Sequence, residues 1–261
     1  MMLEFRRVSF QNSPQKPPVL RDANFCVAGG EWVFLVGPPQ SGKSTIFRLL
    51  LAQMRATSGQ IFFDGREITA ISEGQIPYLR RKIGFVGAQW PLVEHLNAAQ
   101  NLELCLRAAG ATNGEIERKI GETLRDVEFS DSPQTPAREL DAQAQLRLCL
   151  ARAVILRPLI LVLDDAAREL APARAWAIYE TLAKLWQTHG FAVLMATHDA
   201  AFVDEAGARV LRLAAGEIES DIENGVFDPN ESQRQRAQRR LEFLEFSPPV
   251  ERLLKHHKND F

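Results

Sequence analysis

One nine-residue run, Gly37-Pro38-Pro39-Gln40-Ser41-Gly42-Lys43-Ser44-Thr45, constrains this chain more than any other, because it fits GxxxxGK[ST]. An apolar strand pattern, Trp32–Val36, precedes it, and a helical pattern from Lys43 to Met54 follows. A chance match in a chain of this length arises about once in a hundred sequences at ordinary glycine usage. Without its chemistry the run is a glycine-rich strand-to-helix turn with an exposed lysine. With it, backbone N–H groups at a helix N-terminus cradle phosphate oxygens. Lys43 then reaches the outer phosphates and the Ser44 hydroxyl holds Mg²⁺. Asp164 ends the apolar run Leu159–Leu163 and supplies a second magnesium anchor.

The rest of the chain is consistent with a parallel sheet. Apolar strand patterns at 83–87, Leu159–Leu163, Phe191–Ala196 and Val210–Leu213 alternate with helical stretches at 97–129, Arg147–Leu156 and Ala173–His189. Continuous apolar strands of this kind are covered on both faces. Residues 2–10 alternate as a strand, and Ile61–Phe63, Asp64-Gly65 and Glu67–Thr69 read as a hairpin with an Asp-Gly turn. The 261 residues carry 31 Lys+Arg against 33 Asp+Glu, so no global electrostatic grip on nucleic acid is expected. Cys26, Cys105 and Cys149 lack CxxC spacing and read as reduced thiols. The longest apolar run, Phe191–Ala196, is far short of the roughly 18 residues of a spanning helix. The opening MMLEFRRVSF lacks an apolar core of signal-peptide length, so a cytoplasmic protein is expected.

Four segments in unbroken order, AGGEWVFLVGPPQSGKST, IPYLRRKIGFV, ARAVILRPLILVLDD and FAVLMATHD, resemble the ABC-type ATPase family. The resemblance runs from residue 2 to about 218. Within the family it is most similar to the FtsE-like cell-division branch and its relatives in lipoprotein and macrolide export. It implies an α/β P-loop NTPase fold: a mostly parallel sheet, an antiparallel β part and an inserted helical lobe at about 97–157. It also implies a nucleotide-binding domain over 1–223, leaving 224–261 as a partly helical tail. ATP and Mg²⁺ are the implied ligands, and His198 is implied to contact the γ-phosphate.

The sequence departs from the family where two subunits would clamp ATP. The signature LSGGQ or LSGGE is replaced by Leu140-Asp141-Ala142-Gln143-Ala144-Gln145. Asp141 puts an anion where a hydroxyl donor meets the partner's γ-phosphate. Ala142 and Gln143 add side chains where backbone must come close. Asp141 is at the same time a good N-cap for its own helix. The family's catalytic Glu is Asp165, one methylene shorter, which either acts as a slow base or only solvates the magnesium shell. The family's magnesium-contacting glutamine aligns with Ala88, and Gln89 stands one place late as a metal contact. The family's aspartate in the loop after the second carboxylate aligns with Ala171, and its adenine-stacking aromatic aligns near Asn12, with Phe10 two residues earlier.

Two functions follow from the resemblance. One is an ATP-binding subunit that drives or gates an integral membrane partner (FtsX-like or an exporter permease) with weak hydrolysis. The other is a pseudo-ATPase serving as the structural half of a heteromer. A head-to-tail homodimer would face Asp141 at both sites, whereas a heterodimer with an intact second ATPase subunit keeps one good site, so a heterodimer is expected. The protein would then sit on the inner face of the plasma membrane through its partner. Trp90 and Leu92, apolar residues just after a strand, are candidates for the partner groove; alternatively Trp90 packs into the chain's own helical lobe. In the tail, Arg234, Arg236, Arg239 and Arg240 either meet anionic lipid or belong to a solvated helix packing through Leu241, Phe243, Leu244 and Phe246.

Overall fold

Period-two alternation along a single strand organises the molecule. In β3 (Trp32–Val36) every residue is buried. Trp32, Phe34 and Val36 point into one core, and Val33 and Leu35 into another. The computed structural model describes residues 1–88, 91–228, 231 and 235. Before β3 come β1 (Leu3–Phe10) and β2 (Leu20–Val27). After it come α1 (Lys43–Leu50), β4 (Ser58–Phe63), β5 (Arg66–Glu67), α2 (Ile76–Arg81) and β6 (Ile83–Gly87). Three helices follow, α3 (Ala98–Ala108), α4 (Asn113–Asp126) and α5 (Ala142–Val154). The chain then continues through β7 (Ile160–Asp164), α6 (Pro172–His189), β8 (Ala192–Ala196), α7 (Ala200–Ala206), β9 (Arg209–Ala214) and β10 (Glu217–Ile222).

These strands make two sheets, an antiparallel one in the order β2-β1-β4-β5 and a second in the order β10-β9-β3-β8-β7-β6. In the second sheet the pairs β9–β3, β3–β8, β8–β7 and β7–β6 are parallel, and only β10–β9 is antiparallel. The expected α/β fold, with a mostly parallel sheet and an antiparallel part, is the fold observed. One core packs α1 between the two sheets. The other packs helices α3 to α7 on the opposite face of the parallel sheet. Between β6 and β7, Asn97 and Thr112 close capping boxes on α3 and α4.

The elements depart from the sequence reading at their ends. α1 stops at Leu50, not Met54: Ala52 turns into the left-handed region at φ 49°, and the Gln53 N–H donates back to the Arg48 carbonyl. Leu51 and Met54 still pack on the core, so the apolar period outlasts the helix. α5 begins five residues before Arg147 because Asp141 caps it there. β10, α2 and α7 had no signal: β10 is mostly exposed, α2 buries only Leu79, and α7 has seven residues. The three cysteines are free and half-buried. Among the described residues no helix is long and apolar enough to cross a membrane.

Candidate functional site

β3, β8 and β7 lie side by side and parallel, so their C-terminal ends adjoin, the usual place for a ligand crevice in such a sheet. β3 leads into Gly37–Gly42, β7 ends on Asp164-Asp165, and β8 leads into Thr197-His198. Register puts Asp164 opposite Ala196 and Gly87. A cleft of about 1020 Å³ opens over these ends, lined by Lys43, Ser44, Asp164, Asp165 and His198, and reaching Ala142 at the start of α5.

The loop is tight enough to exclude side chains at two places. Gly37 has φ 151°, and a Cβ there would lie 2.0 Å from the Leu213 carbonyl oxygen. At Gly42, φ is 111° and a Cβ would meet a Leu20 methyl at 2.8 Å. Both therefore stay glycine so that the loop can bed against β9 and the start of β2. Lys43 opens α1 and folds back over the loop. Its ammonium donates to the carbonyls of Gly37 at 2.8 Å and Pro38 at 2.9 Å, and to the Ser41 hydroxyl at 3.4 Å. Burial pulls the Lys43 amine below the usual lysine range, and Asp165 and Asp164 oppose that pull. Ser44 and Asp164 both line the cleft. Burial pushes the Asp164 carboxyl up; Ser44 works against this and the neighbouring Asp165 adds to it.

Asp165 adopts the left-handed region at φ 52°, where Asp is tolerated better than most residues. Its N–H donates to the Ala196 carbonyl at 3.0 Å, which ties β7's end to β8. Both of its carboxylate oxygens are engaged: Oδ1 lies 2.5 Å from His198 Nδ1, and Oδ2 lies 3.4 Å from Arg168 Nη1. Arg168, three residues on and lining the same cleft, was not singled out in the sequence. Its spacing from Asp165 is the only signal that pointed to it.

Asp141 is the N-cap of α5, one residue before Ala142 of the cleft lining. Its Oδ1 accepts from the Ala144 N–H at 2.8 Å and its Oδ2 from Arg174 Nη1 at 3.0 Å. The Ala144 N–H, with Arg174 behind it, holds this carboxyl below the usual range. Gln143, half-buried in the first turn of α5, is not among the cleft residues, whereas Ala142 and Leu92 are. Pro38, Ser41 and Thr45 complete the loop and the first turn of α1. Ser41 is buried, and the Thr45 N–H donates to the Gly42 carbonyl at 3.0 Å. The structure thus brings the phosphate loop, Asp164, Asp165 and His198 together. Gln89 and Trp90, the metal and groove candidates, lie outside the described residues, as do the arginines and apolar residues singled out between 234 and 246.

The oxygen donors of Ser44 and Asp164 beside a lysine suit a hard divalent cation and a polyphosphate. The ABC transporter family matches residues 20–168. A cell division ATP-binding protein FtsE of Mycobacterium tuberculosis is 34% identical over 227 residues, covering 87% of this chain and 98% of the relative. A methionine import ATP-binding protein MetN 1 of Staphylococcus aureus is 30% identical, covering 86% of this chain and 66% of the relative. Among solved structures, the dimeric post-hydrolysis ATP-binding cassette MJ0796 bound to ADP and Pi superposes with a TM-score of 0.77. It is 26% identical and covers 87% of this chain and all of that one. By the family match over more than half its length and by these relatives, the chain belongs to the ABC transporter family, as one of its ATP-binding subunits.

Proposed function

We propose that the chain binds Mg-ATP in the cleft over β3, β7 and β8 and drives or gates an integral membrane partner, with weak or absent hydrolysis of its own. The observation that carries this is the Gly37–Thr45 loop, closed around Lys43 in the cleft that Ser44 and Asp164 also line. Loop N–H groups and Lys43 would hold the phosphates, and Ser44 and Asp164 would hold Mg²⁺, which when bound neutralises phosphate charge. Asp165 supports weak hydrolysis. It is one methylene shorter than the family's glutamate, and both its oxygens are already engaged by His198 and Arg168. A general base misplaced by about 1 Å loses roughly a hundredfold in rate.

Asp141 supports a second, heteromeric reading. A carboxylate held by its own helix N-terminus and by Arg174 offers no hydroxyl to a nucleotide on a partner subunit. A partner with an intact signature would keep one competent site, and this chain would then act as the structural half. The nucleotide-binding unit is taken as residues 1–223 and the partner groove as the surface around Leu92. Through that partner the protein would lie on the inner face of the plasma membrane, alongside FtsE-like cell-division or export subunits.

The test is calorimetric titration with Mg-ATP together with steady-state turnover of the purified chain. Binding with turnover below the ordinary range of about 1–10³ per second is expected. Turnover inside that range for the isolated chain would overturn the reading of Asp141 and Asp165. The combined reversion Asp141→Ser, Ala142→Gly, Gln143→Gly, Asp165→Glu should raise activity, and no single one should suffice, because such groups act as a unit.

A further inference from the structure

The chain leaving β7 turns back so that one arginine side chain returns to the cleft. The Arg168 N–H donates to the Asp165 carbonyl at 3.3 Å, which closes a tight turn over Asp165–Arg168. That turn is anchored at both ends and in its middle. The Asp165 N–H is held on the Ala196 carbonyl at 3.0 Å, and the Leu170 N–H donates to the Ala167 carbonyl at 3.1 Å. Ala167 is buried, and Leu170 packs against the same core. The backbone of Arg168 therefore has a fixed place between β7 and the start of α6. Its side chain stays out of the core: it is 71% exposed, lines the cleft, and brings Nη1 to 3.4 Å from Asp165 Oδ2.

That contact spends one of the guanidinium's five N–H donors. An ion pair this exposed adds little to the fold, because water competes for both partners. A phosphate is a stronger acceptor for the donors that remain, since a planar guanidinium meets it with two parallel hydrogen bonds. The charges in the cleft call for such a group. Asp164 and Asp165 stand side by side at the end of β7, where an entering polyphosphate meets both. Mg²⁺ would answer Asp164. Asp165 is bracketed instead by two side chains, with His198 Nδ1 2.5 Å from Oδ1 and Arg168 on Oδ2. With Nδ1 turned to Asp165, His198 keeps Nε2 for another partner. Arg138, which also lines the cleft, pairs with Glu139 at 3.8 Å and not with either aspartate.

We infer that Arg168 is a nucleotide-binding residue that the chain supplies to its own site: held beside Asp165, it gives its remaining N–H donors to the terminal phosphate of ATP, which ADP lacks. This rests on the proposed ATP site and on His198 meeting that same phosphate. It makes the preference for ATP a property of the single chain, needing no donor from a second subunit.

The experiment titrates the full chain with Mg-ATP and with Mg-ADP by calorimetry. It compares wild type, Arg168→Ala, Arg168→Lys, Arg138→Ala, Asp165→Asn and the Asp165→Asn, Arg168→Ala double variant. Arg168→Ala should weaken Mg-ATP about tenfold to a hundredfold and leave Mg-ADP unchanged. Arg168→Lys keeps the charge but not the fork, and should recover only part of that loss. Arg138→Ala removes the same charge from the cleft lining and should affect both nucleotides alike. Because the Arg168 side chain is exposed, its variants should melt with wild type when no nucleotide is present. If Arg168 only shields Asp165, its removal costs nothing once residue 165 carries no charge. A direct contact predicts that the ATP-selective loss persists in the double variant, and its disappearance there overturns the inference. An equal loss for both nucleotides on Arg168→Ala, or no loss, overturns it too. A wild type that binds the two nucleotides equally overturns it while the ATP site stands, whereas a wild type that binds neither overturns the proposed site itself and this inference with it.

Discussion

Replacing Lys43 by Ala tests the site most directly. Without nucleotide, the Lys43 ammonium spends its three N–H bonds on its own loop, at 2.8, 2.9 and 3.4 Å. Two of these acceptors are carbonyls in a partly open cleft, where water replaces a lost donor. The fold should therefore lose only about 1 kcal/mol, the net worth of such a bond. For a domain of this size that lowers the melting temperature by roughly 2–4 °C. Binding should lose far more. A charge-assisted hydrogen bond to phosphate is worth about 1.5–3 kcal/mol, and one ammonium bridging two outer phosphates twice that, so affinity should fall roughly a hundredfold to ten-thousandfold. Removing the cation also leaves Asp164 and Asp165 facing the incoming phosphates without the charge that now opposes them. Calorimetry with Mg-ATP, run beside a thermal melt, reads both quantities. Lys43→Arg is the control, since it keeps the charge but not the compact head. Unchanged ATP affinity in a folded Lys43→Ala protein would refute the phosphate-loop reading. A collapse in melting temperature would show instead that the lysine's role is to hold the loop.

Three further outcomes are expected. Asp164→Asn should leave the nucleotide-free protein as stable as wild type or more so at neutral pH, while abolishing Mg²⁺-dependent binding in calorimetry. The raised carboxyl favours its protonated form in the fold, so the stability it adds is present at low pH and is lost as pH rises through its folded value. Asp141 has the opposite sign. Its lowered carboxyl adds stability above the ordinary value of about 4 that is lost as pH falls through the folded value, and Asp141→Ala should erase that dependence in acid melts. Phe202→Ala, which opens the aromatic core beneath α6 and α7, should cost about 3–5 kcal/mol in denaturant unfolding, more than any of the charge variants.

What the sequence made legible and what it hid divide along physical lines. The parallel strands were readable because burial on both faces forces continuous apolar runs, as in Trp32–Val36 and Ala192–Ala196. The loop was readable because its demands are local: glycine where a Cβ would strike Leu213, and lysine and serine at the very start of a helix. The ends of elements were less so. The α1 pattern runs four residues too far because Leu51 and Met54 keep packing after the backbone has turned at Ala52. β10 left no trace, since an exposed edge strand has no apolar period to show. Arg168 escaped notice because an arginine three residues beyond a carboxylate is ordinary on any surface until the fold puts both in one cleft.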